Sequence, residues 1–585
     1  MSKFETVKHE VDVCVVGGGL AGICAAVSAA RHGAKTLIMQ DRPMFGGNCS
    51  SEIRMWICGS ENFADDTKET GIVEEIDLEN CYRNPYKNYS IWDSVLYQTV
   101  RFQKNMTMLL NCSCLDAEMD GNKIKSIKGW QLTTQQFHEV SAKIFIDCSG
   151  DSVLAPLSDA EFRWGREARS EFNEDIAPEQ ADNHTMGLSC MIQGREYTEK
   201  RPYIAPTWAE KFTKDKLNHR QPDMNNKYEN FWYIELGGMG DTIRDSEVLR
   251  DELQEVAFGM WDYVKNSGEC KNTENWDLDW VGMIPGKRES RRYVGDYILN
   301  QNDVRAEGKF DDLVAYGGWS MDDHHPEGLR YPGAPNIHHP APSPYGIPYR
   351  CLYSKNIENL MFAGRNISVT HTAMSSTRVM ATCGTLGQAA GTAAALAVEK
   401  DTTPRGVYQH YMKELKQNLM DDDCYLPFNK KEFNALTKAA KLTAGGENAD
   451  ALFNGIDRNI KDTDNGWRGK MGESITLSYD KAQDIKEARL VLDSNLNRKH
   501  EGNYHHNMDS NVHLNIEPIV PPKTLVKSFD VTWKTESGET KIKHIENNYQ
   551  RLVTVPIEDK ATEITFTFNE TWGADDCHVF SVELF

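Results

Sequence analysis

None of the fourteen cysteines forms a Cys-x-x-Cys pair, and the closest two are Cys112 and Cys114. The missing spacing excludes a redox dithiol, a zinc ribbon and an iron–sulfur ligand set together. Cys112 and Cys114 alternate on a predicted strand, while Cys14, Cys24 and Cys148 fall in apolar stretches that bury reduced thiols. Long apolar runs are also missing. None approaches the roughly 18 residues needed to cross a bilayer, and residues 1–10 lack the basic-then-apolar plan of a secretion signal. A cytoplasmic protein with no membrane partner is expected. Basic charge is scarce, with 65 Lys and Arg against 87 Asp and Glu for a formal net charge of −22. Nucleic acid, which is bound through basic patches and counterion release, is therefore not an expected partner. The pairs His324-His325 and His338-His339 place neighbouring side chains on opposite sides of a strand. No Cys or Glu spacing completes a zinc set around them, so no metal is expected.

What the chain does contain is organised around residues 11–54. Val11 to Val16 is a short apolar run rich in β-branched residues; it ends at Gly17-Gly18-Gly19-Leu20-Ala21-Gly22 and passes into a small-residue helical segment from Ala21 to His32. Gly17 allows a tight reversal, Gly19 lets the backbone approach a pyrophosphate, and Gly22 lets the helix lie on the strand with its free N–H groups aimed at the phosphates. A second strand, Thr36 to Met39, ends at Gln40-Asp41, near the spacing at which an acid takes the ribose hydroxyls. Gly237-Gly238-Met239-Gly240 has no such strand, helix and acid around it and reads as an ordinary turn. No dedicated nicotinamide-nucleotide site is expected.

Beyond the second strand stands Gly46-Gly47-Asn48-Cys49-Ser50-Ser51-Glu52, and further on come Asp147-Cys148-Ser149-Gly150-Asp151, Arg288-Glu289-Ser290-Arg291-Arg292 and a strand closing in Gly364-Arg365. Over about residues 8–400 these motifs, in this order, resemble the bacterial FAD-dependent oxidoreductases of the glutathione-reductase-like superfamily. The resemblance implies FAD as cofactor and an α/β FAD-binding fold of the Rossmann type. It further implies cofactor contacts from Gly17, Gly19, Gly22, Gln40, Asp41, Arg42, Gly46, Gly47, Asn48, Asp151, Gly364 and Arg365. Many relatives carry Glu where this chain has Gln40, which leaves open whether Asp41 or another group takes the ribose. The Arg-Glu-Ser-Arg-Arg segment is a signature of the group, with one arginine pairing with Glu289 and another facing substrate or flavin.

The chain is divided accordingly. Residues 1–151 form the first part of the FAD-binding domain, 152–348 an inserted α+β substrate domain, 349–400 the second part, 401–445 a helical linker and 446–585 an all-β sandwich of the jelly-roll kind. Helices are predicted at Thr70 to Ile76 and Trp92 to Gln103, both covering the flavin side of the first sheet, at Glu247 to Asn266, and from Ser375 through Glu399 as one long element. Phe137 to Ala142 is predicted to close an antiparallel meander, Lys143 to Ile146 to be the last parallel strand, and Phe231 to Leu236 a strand of the substrate domain. From about Ala451 strands alternate to the end, including Ile475 to Tyr479 and Ala488 to Leu492. Leu452-Phe453-Asn454-Gly455 and Gly466-Trp467 resemble the entry to galactose-binding-like modules. That implies either sugar binding through exposed aromatics such as Trp467 or Trp572, or plain packing.

The expected activity is hydride transfer between flavin N5 and a small polar substrate: a sugar, a polyol or a hydroxy acid. One alternative is fumarate-reductase-like reduction of an activated C=C bond, with arginines clamping carboxylates. Another, of a different class, is a carbohydrate-binding or scaffold protein with structural FAD. Taking a proton from a carbinol favours a group that titrates near neutrality, hence histidine. His371, between Gly364-Arg365 and Arg378, is the predicted base; Arg378 is predicted to stabilise an alkoxide or carboxylate, with Arg291 and His324 on the wall.

Overall fold

The computed structural model describes residues 4–60, 66–498 and 508–585. The first strand, Thr6–Val16, is alternately exposed over its polar start and buried over Val13 to Val16, as a strand covered on both faces must be. Thr36–Met39 lies parallel to its second half and Met106–Leu109 lies parallel to that. On the other side runs Gln136–Asp147, a single strand where the sequence suggests two. Its first half takes the antiparallel pair Cys112–Asp120 and Lys123–Gln131, while Phe145 to Asp147 take the parallel strand Leu360–Phe362. One continuous backbone thus serves both the meander and the parallel sheet.

The helix Leu20–Arg31 packs on the helix Met380–Glu399 through small residues. A Cβ on Gly387 would stand 2.1 Å from the Ala21 carbonyl oxygen and one on Gly391 2.1 Å from that of Ala25; Ser28 Oγ and Thr392 Oγ1 bond at 2.7 Å. The long helix expected from Ser375 is broken: His371–Thr377 ends at Arg378, and Met380–Glu399 starts after Val379, whose ψ is 144°. No Gly or Pro marks the break. It is made by partners elsewhere in the chain, since Ala381 N–H donates to the Cys58 carbonyl and Ser376 Oγ to that of Trp319.

In the middle region the helix Ser246–Asn266 buries Leu253, Val256, Met260 and Trp261 against Phe231, Ile234 and Trp276. Of the strand expected over Phe231 to Leu236 only Glu235–Leu236 forms, because Phe231 adopts φ 63° and turns the chain.

The described residues fall into two compact units: 4–60, 86–415 and 508–518 form one, and 66–85, 416–498 and 519–585 the other. The helix Ile72–Arg83, expected over the first sheet, therefore belongs to the second unit, where Leu78 is fully buried in the sandwich core. Two long strands build that core. Ser474–Leu492 pairs with Leu552–Thr571 along both lengths, with register shifts between Ser478 and Gln483. Lys441–Ala444 flanks the first half of Ser474–Leu492 and Asp576–Leu584 the second. The bulge lets one seven-stranded antiparallel sheet fold into two layers. Trp467, expected as an exposed sugar platform, has no exposed surface and lies in the core, because its strand is an inner-facing one; Trp572 is half-buried and donates its indole N–H to the Asn548 carbonyl.

Candidate active site

Two of the glycines in the first turn are there because nothing larger fits. Gly17 has φ +103° and a Cβ there would lie 2.4 Å from the Cys148 carbonyl carbon; a Cβ on Gly22 would lie 1.9 Å from the Gly17 oxygen. Gly19 differs. Its φ is −66°, and no atom comes within 4 Å of a Cβ built on it. The helix begins at that point without a side-chain cap, which leaves its first N–H groups for an anion. Gly46 N–H donates to the Gly18 carbonyl at 2.7 Å, and Gly47 closes over Gly19 so that its own Cβ would be 3.1 Å from the Gly19 Cα. Open space beside uncapped N–H groups fits a pyrophosphate.

Gln40 is buried and already occupied: its Oε1 accepts the Gly18 N–H at 2.7 Å and its Nε2 donates to the Met44 carbonyl at 3.1 Å. Asp41, the expected ribose ligand, is a surface residue whose side chain is 62% exposed, with the Arg42 guanidinium at 3.8 Å. The inward position at the strand end belongs to Gln40, which holds the glycine turn instead. Arg42 also stands 3.8 Å from Glu52, whose buried Oε2 has no hydrogen-bond partner among the described residues.

Asp151 gathers three motifs. It accepts from Lys287 Nζ at 2.7 Å, from Arg365 at 2.8 Å and from Ser290 Oγ at 2.8 Å, while Asn48 donates to the Lys287 carbonyl at 3.1 Å. Burial pushes its carboxyl up, but Arg365 and Lys287 outweigh that and hold it below the ordinary range. Arg365 lies against Gly150, where a Cβ would come within 2.5 Å of the guanidinium.

The strand Met321–His324 separates two chains of buried charge. On one side His324 Nδ1 meets Glu235 at 2.6 Å and its Nε2 meets Asp322 at 3.2 Å; Arg288 stands 3.5 Å from Glu235, and Arg378 donates to Asp322 at 3.1 Å. On the other side His371 Nδ1 meets Glu289 at 2.8 Å and its Nε2 meets Asp323 at 3.2 Å. Arg292, 1% exposed, bonds Glu289 and, at 2.8 Å, Glu167. Burial favours the neutral imidazole at His371, yet Glu289 and Asp323 together raise its pKa to about 10. His324 is raised likewise, Glu235 and Asp322 outweighing burial.

The prediction of a neutral-pH base at His371 is therefore corrected: both ring nitrogens are engaged by carboxylates, and the ring is held as an imidazolium. Arg291 is also displaced from its expected place. It donates to the Asp151 carbonyl at 3.2 Å and lies 5.5 Å from the exposed Phe162 ring, whereas the deep arginines of that segment are Arg288 and Arg292. Glu235, Glu167, Asp322 and Asp323 were not legible as site residues. The readable signal was the acid pair Asp322-Asp323 set beside His324 at the end of the Met321–His324 strand and His325 just after it.

Several buried polar atoms have no partner among the described residues: Arg378 Nε, Thr377 Oγ1 and Trp319 Nε1 at the helix break, and Arg365 Nε and Asn366 Oδ1 beside Asp151 and Asp147. Beside them Trp56, Cys58, Trp319 and Val379 form an apolar cluster, edged by Met55, Tyr228 and Trp232. Trp232 meets the His324 ring edge-on at 5.5 Å. Unpartnered donors next to an apolar wall, together with the open anion cradle at Gly19, fit a large polar cofactor such as FAD with a ligand beside it. Among the described residues no helix is long and apolar enough to cross a membrane.

Comparison with known proteins agrees with this chemistry. A family model described as FAD dependent oxidoreductase matches residues 12–419. Over 43 residues the chain is 44% identical to a soluble pyridine nucleotide transhydrogenase of Marinobacter nauticus, which is 7% of this chain and only 9% of that protein. Among solved structures, a geranylgeranyl bacteriochlorophyll reductase-like protein from Thermoplasma acidophilum is similar over 71% of this chain and 86% of its own, with 12% identity and a TM-score of 0.31. A family 32 carbohydrate-binding module of Streptococcus pneumoniae EndoD is similar over 25% of this chain and 97% of its own, with 13% identity and a TM-score of 0.19. Scores that low say nothing about function. The family model spans more than half of the 585 residues, and this chain belongs to the FAD dependent oxidoreductase family.

Proposed function

We propose that the enzyme moves a hydride between flavin N5 and a small polar substrate of the sugar, polyol or hydroxy-acid class, with a carboxylate-bearing member favoured. FAD would be held by Gly17, Gly19 and Gly22 at its pyrophosphate, with Gly46, Gly47 and Asn48 closing over it and Asp151, Gly364 and Arg365 towards the flavin. When bound, it supplies a two-electron carrier that takes or gives a hydride at N5. Residues 152–348 would contribute the substrate wall. A carbinol oxidised there loses a hydride from carbon and a proton from oxygen. Arg378 would bind the carboxylate or the developing alkoxide, since a guanidinium in a water-poor pocket lowers the cost of negative charge. His324 and His371 would offset the carboxylates of Glu235, Asp322, Glu289 and Asp323 beside it, and Trp56, Trp319 and Trp232 would exclude water.

The observation that carries this reading is the set of buried donors without partners, Arg378 Nε, Thr377 Oγ1 and Trp319 Nε1, at one helix junction. The test is anaerobic mixing of the holoenzyme with matched pairs, D-gluconate against D-glucose and lactate against glycerol, followed by flavin bleaching. Acids are expected to reduce the flavin faster than their neutral partners, and Arg378→Ala to slow the acids by about 100-fold or more, the range of such contributions. Equal rates for acids and neutral partners, unchanged by Arg378→Ala, would remove the proposal.

A second reading is supported by one further observation. Neither buried imidazole has a free nitrogen to accept a proton, which suits reduction of an activated C=C bond, where the substrate gains a hydride at one carbon and a proton at the other. Arg378 would then be the acid. Reoxidation of the dithionite-reduced enzyme by an unsaturated dicarboxylate, with no bleaching by any hydroxy acid, would favour it.

A further inference from the structure

A segment that lies, in sequence, between two strands of the sandwich folds into the flavin unit instead. Residues 508–518 follow Ser474–Leu492 and precede Val526–Thr535, yet they cluster with residues 4–60 and 86–415. Met508, Ser510 and Asn511 are buried there. Ser510 Oγ accepts the indole N–H of Trp56 at 2.7 Å and donates to the Tyr228 carbonyl at 3.1 Å, while its own carbonyl accepts from Gln193 Nε2 at 2.8 Å. The Asn511 amide is used at both ends: Oδ1 accepts the Gly194 N–H at 2.8 Å, and Nδ2 donates to the Glu229 carbonyl at 2.7 Å. Val512 completes the docking, donating to the Gly194 carbonyl at 2.9 Å and accepting from Glu196 N–H at 2.8 Å, and Asp509 pairs with Lys87 at 2.9 Å.

Three of these bonds, at Trp56, Tyr228 and Glu229, end on the apolar wall or on the loop that edges it, and the others hold the segment to the strand Ile192–Glu196 and to Lys87. Trp56 is a member of the cluster with Cys58, Trp319 and Val379; Tyr228 and Trp232, on the loop gripped by Ser510 and Asn511, edge the same cluster. The Cys58 carbonyl in turn accepts the Ala381 N–H and so fixes the helix break at Arg378 and Val379. A buried indole N–H usually takes an acceptor, which orients the ring, and for Trp56 that acceptor comes from more than 450 residues away.

We infer that Ser510 and Asn511 are positioning residues of the flavin site: they fix Trp56 and the 228–232 loop, and so set the shape of the substrate wall beside Arg378. The inference rests on the proposal that this wall faces the substrate. The sandwich region thereby contributes to the oxidoreductase through its inserted segment, whatever its strands bind.

The test uses the FAD-loaded full chain and two readouts, the visible circular dichroism of the bound flavin and the perturbation of its absorbance by D-gluconate. Trp56→Phe removes the hydrogen bond between Trp56 and Ser510, and Ser510→Ala removes that bond together with the one to the Tyr228 carbonyl. Each is expected to change the flavin dichroism and to weaken gluconate binding about fivefold, the usual worth of one neutral hydrogen bond. FAD content should stay the same, Ser510→Thr should restore both signals, and the double variant should be no worse than Ser510→Ala alone. If Ser510→Ala fails to fold, Trp56→Phe, which leaves an aromatic ring in the cluster without the N–H, decides alone. Wild-type signals in Ser510→Ala and Trp56→Phe, alongside altered ones in Arg378→Ala, would overturn the inference and leave the site standing. Wild-type signals in Arg378→Ala as well would mean that the assignment of the wall itself is wrong, and the inference would fall with it.

Discussion

A buried histidine between two carboxylates, as His371 is between Glu289 and Asp323, keeps its proton well past neutrality. Its pKa of about 10 lies above the ordinary 6.5, so the stability it contributes is complete below the unfolded value and is lost as pH rises through the folded one. Between those two values the wild type is expected to lose up to about 1.4 kcal/mol of stability per pH unit from this group, the worth of one proton. His371→Gln should lack that slope, and urea unfolding across the same pH range measures it. The flavin-reduction profile of His371→Gln should keep any inflection near neutral pH; its disappearance would restore His371 as the base. At the other end of the cofactor cradle, Asp41→Ala is expected to leave FAD affinity within about twofold, as surface changes do. Gln40→Ala removes the acceptor for the buried Gly18 N–H and should lower stability by about 1–3 kcal/mol, read as the thermal midpoint of the apoprotein.

Elements here are defined by what their ends can touch. The turn between Thr6–Val16 and Leu20–Arg31 has one glycine whose Cβ would meet nothing and two whose Cβ would meet backbone within 2.4 Å. Gly19→Val should therefore fold with a near-normal apoprotein midpoint and bind no FAD, because its side chain fills the space left at the uncapped helix start. Gly22→Val should not fold. If Gly19→Val purifies yellow, the cradle has been assigned to the wrong ligand. The break between His371–Thr377 and Met380–Glu399 teaches the converse lesson about legibility. Residues 371–399 contain no helix breaker between Thr377 and Met380, and the interruption exists because Cys58 takes the Ala381 N–H. A hydrogen bond from a loop more than 300 residues away leaves no trace in local propensity.

At the scale of the whole molecule the chain is threaded between its two units more than once. A fragment ending at residue 445 would lose residues 508–518 from the flavin unit and would leave residues 66–85 without the unit they pack in. It is expected to be recovered only as aggregate or without flavin; a soluble, FAD-loaded fragment, checked by gel filtration with absorbance, would show that neither segment matters. The sequence alone determined the strand, glycine turn and helix that open the chain, the family, and the alternating strands of the last region. Each of these is written in neighbouring residues, as a period or as a glycine forced by backbone contact. Only the tertiary structure decided that Gln40 turns inward and Asp41 outward, that Arg288 and Arg292 and not Arg291 are the deep arginines, that His371 is a clamped cation, and that residues 66–85 and 508–518 exchange units. The protonation of a buried group and the burial of a segment depend on partners tens to hundreds of residues away, and no local pattern encodes them.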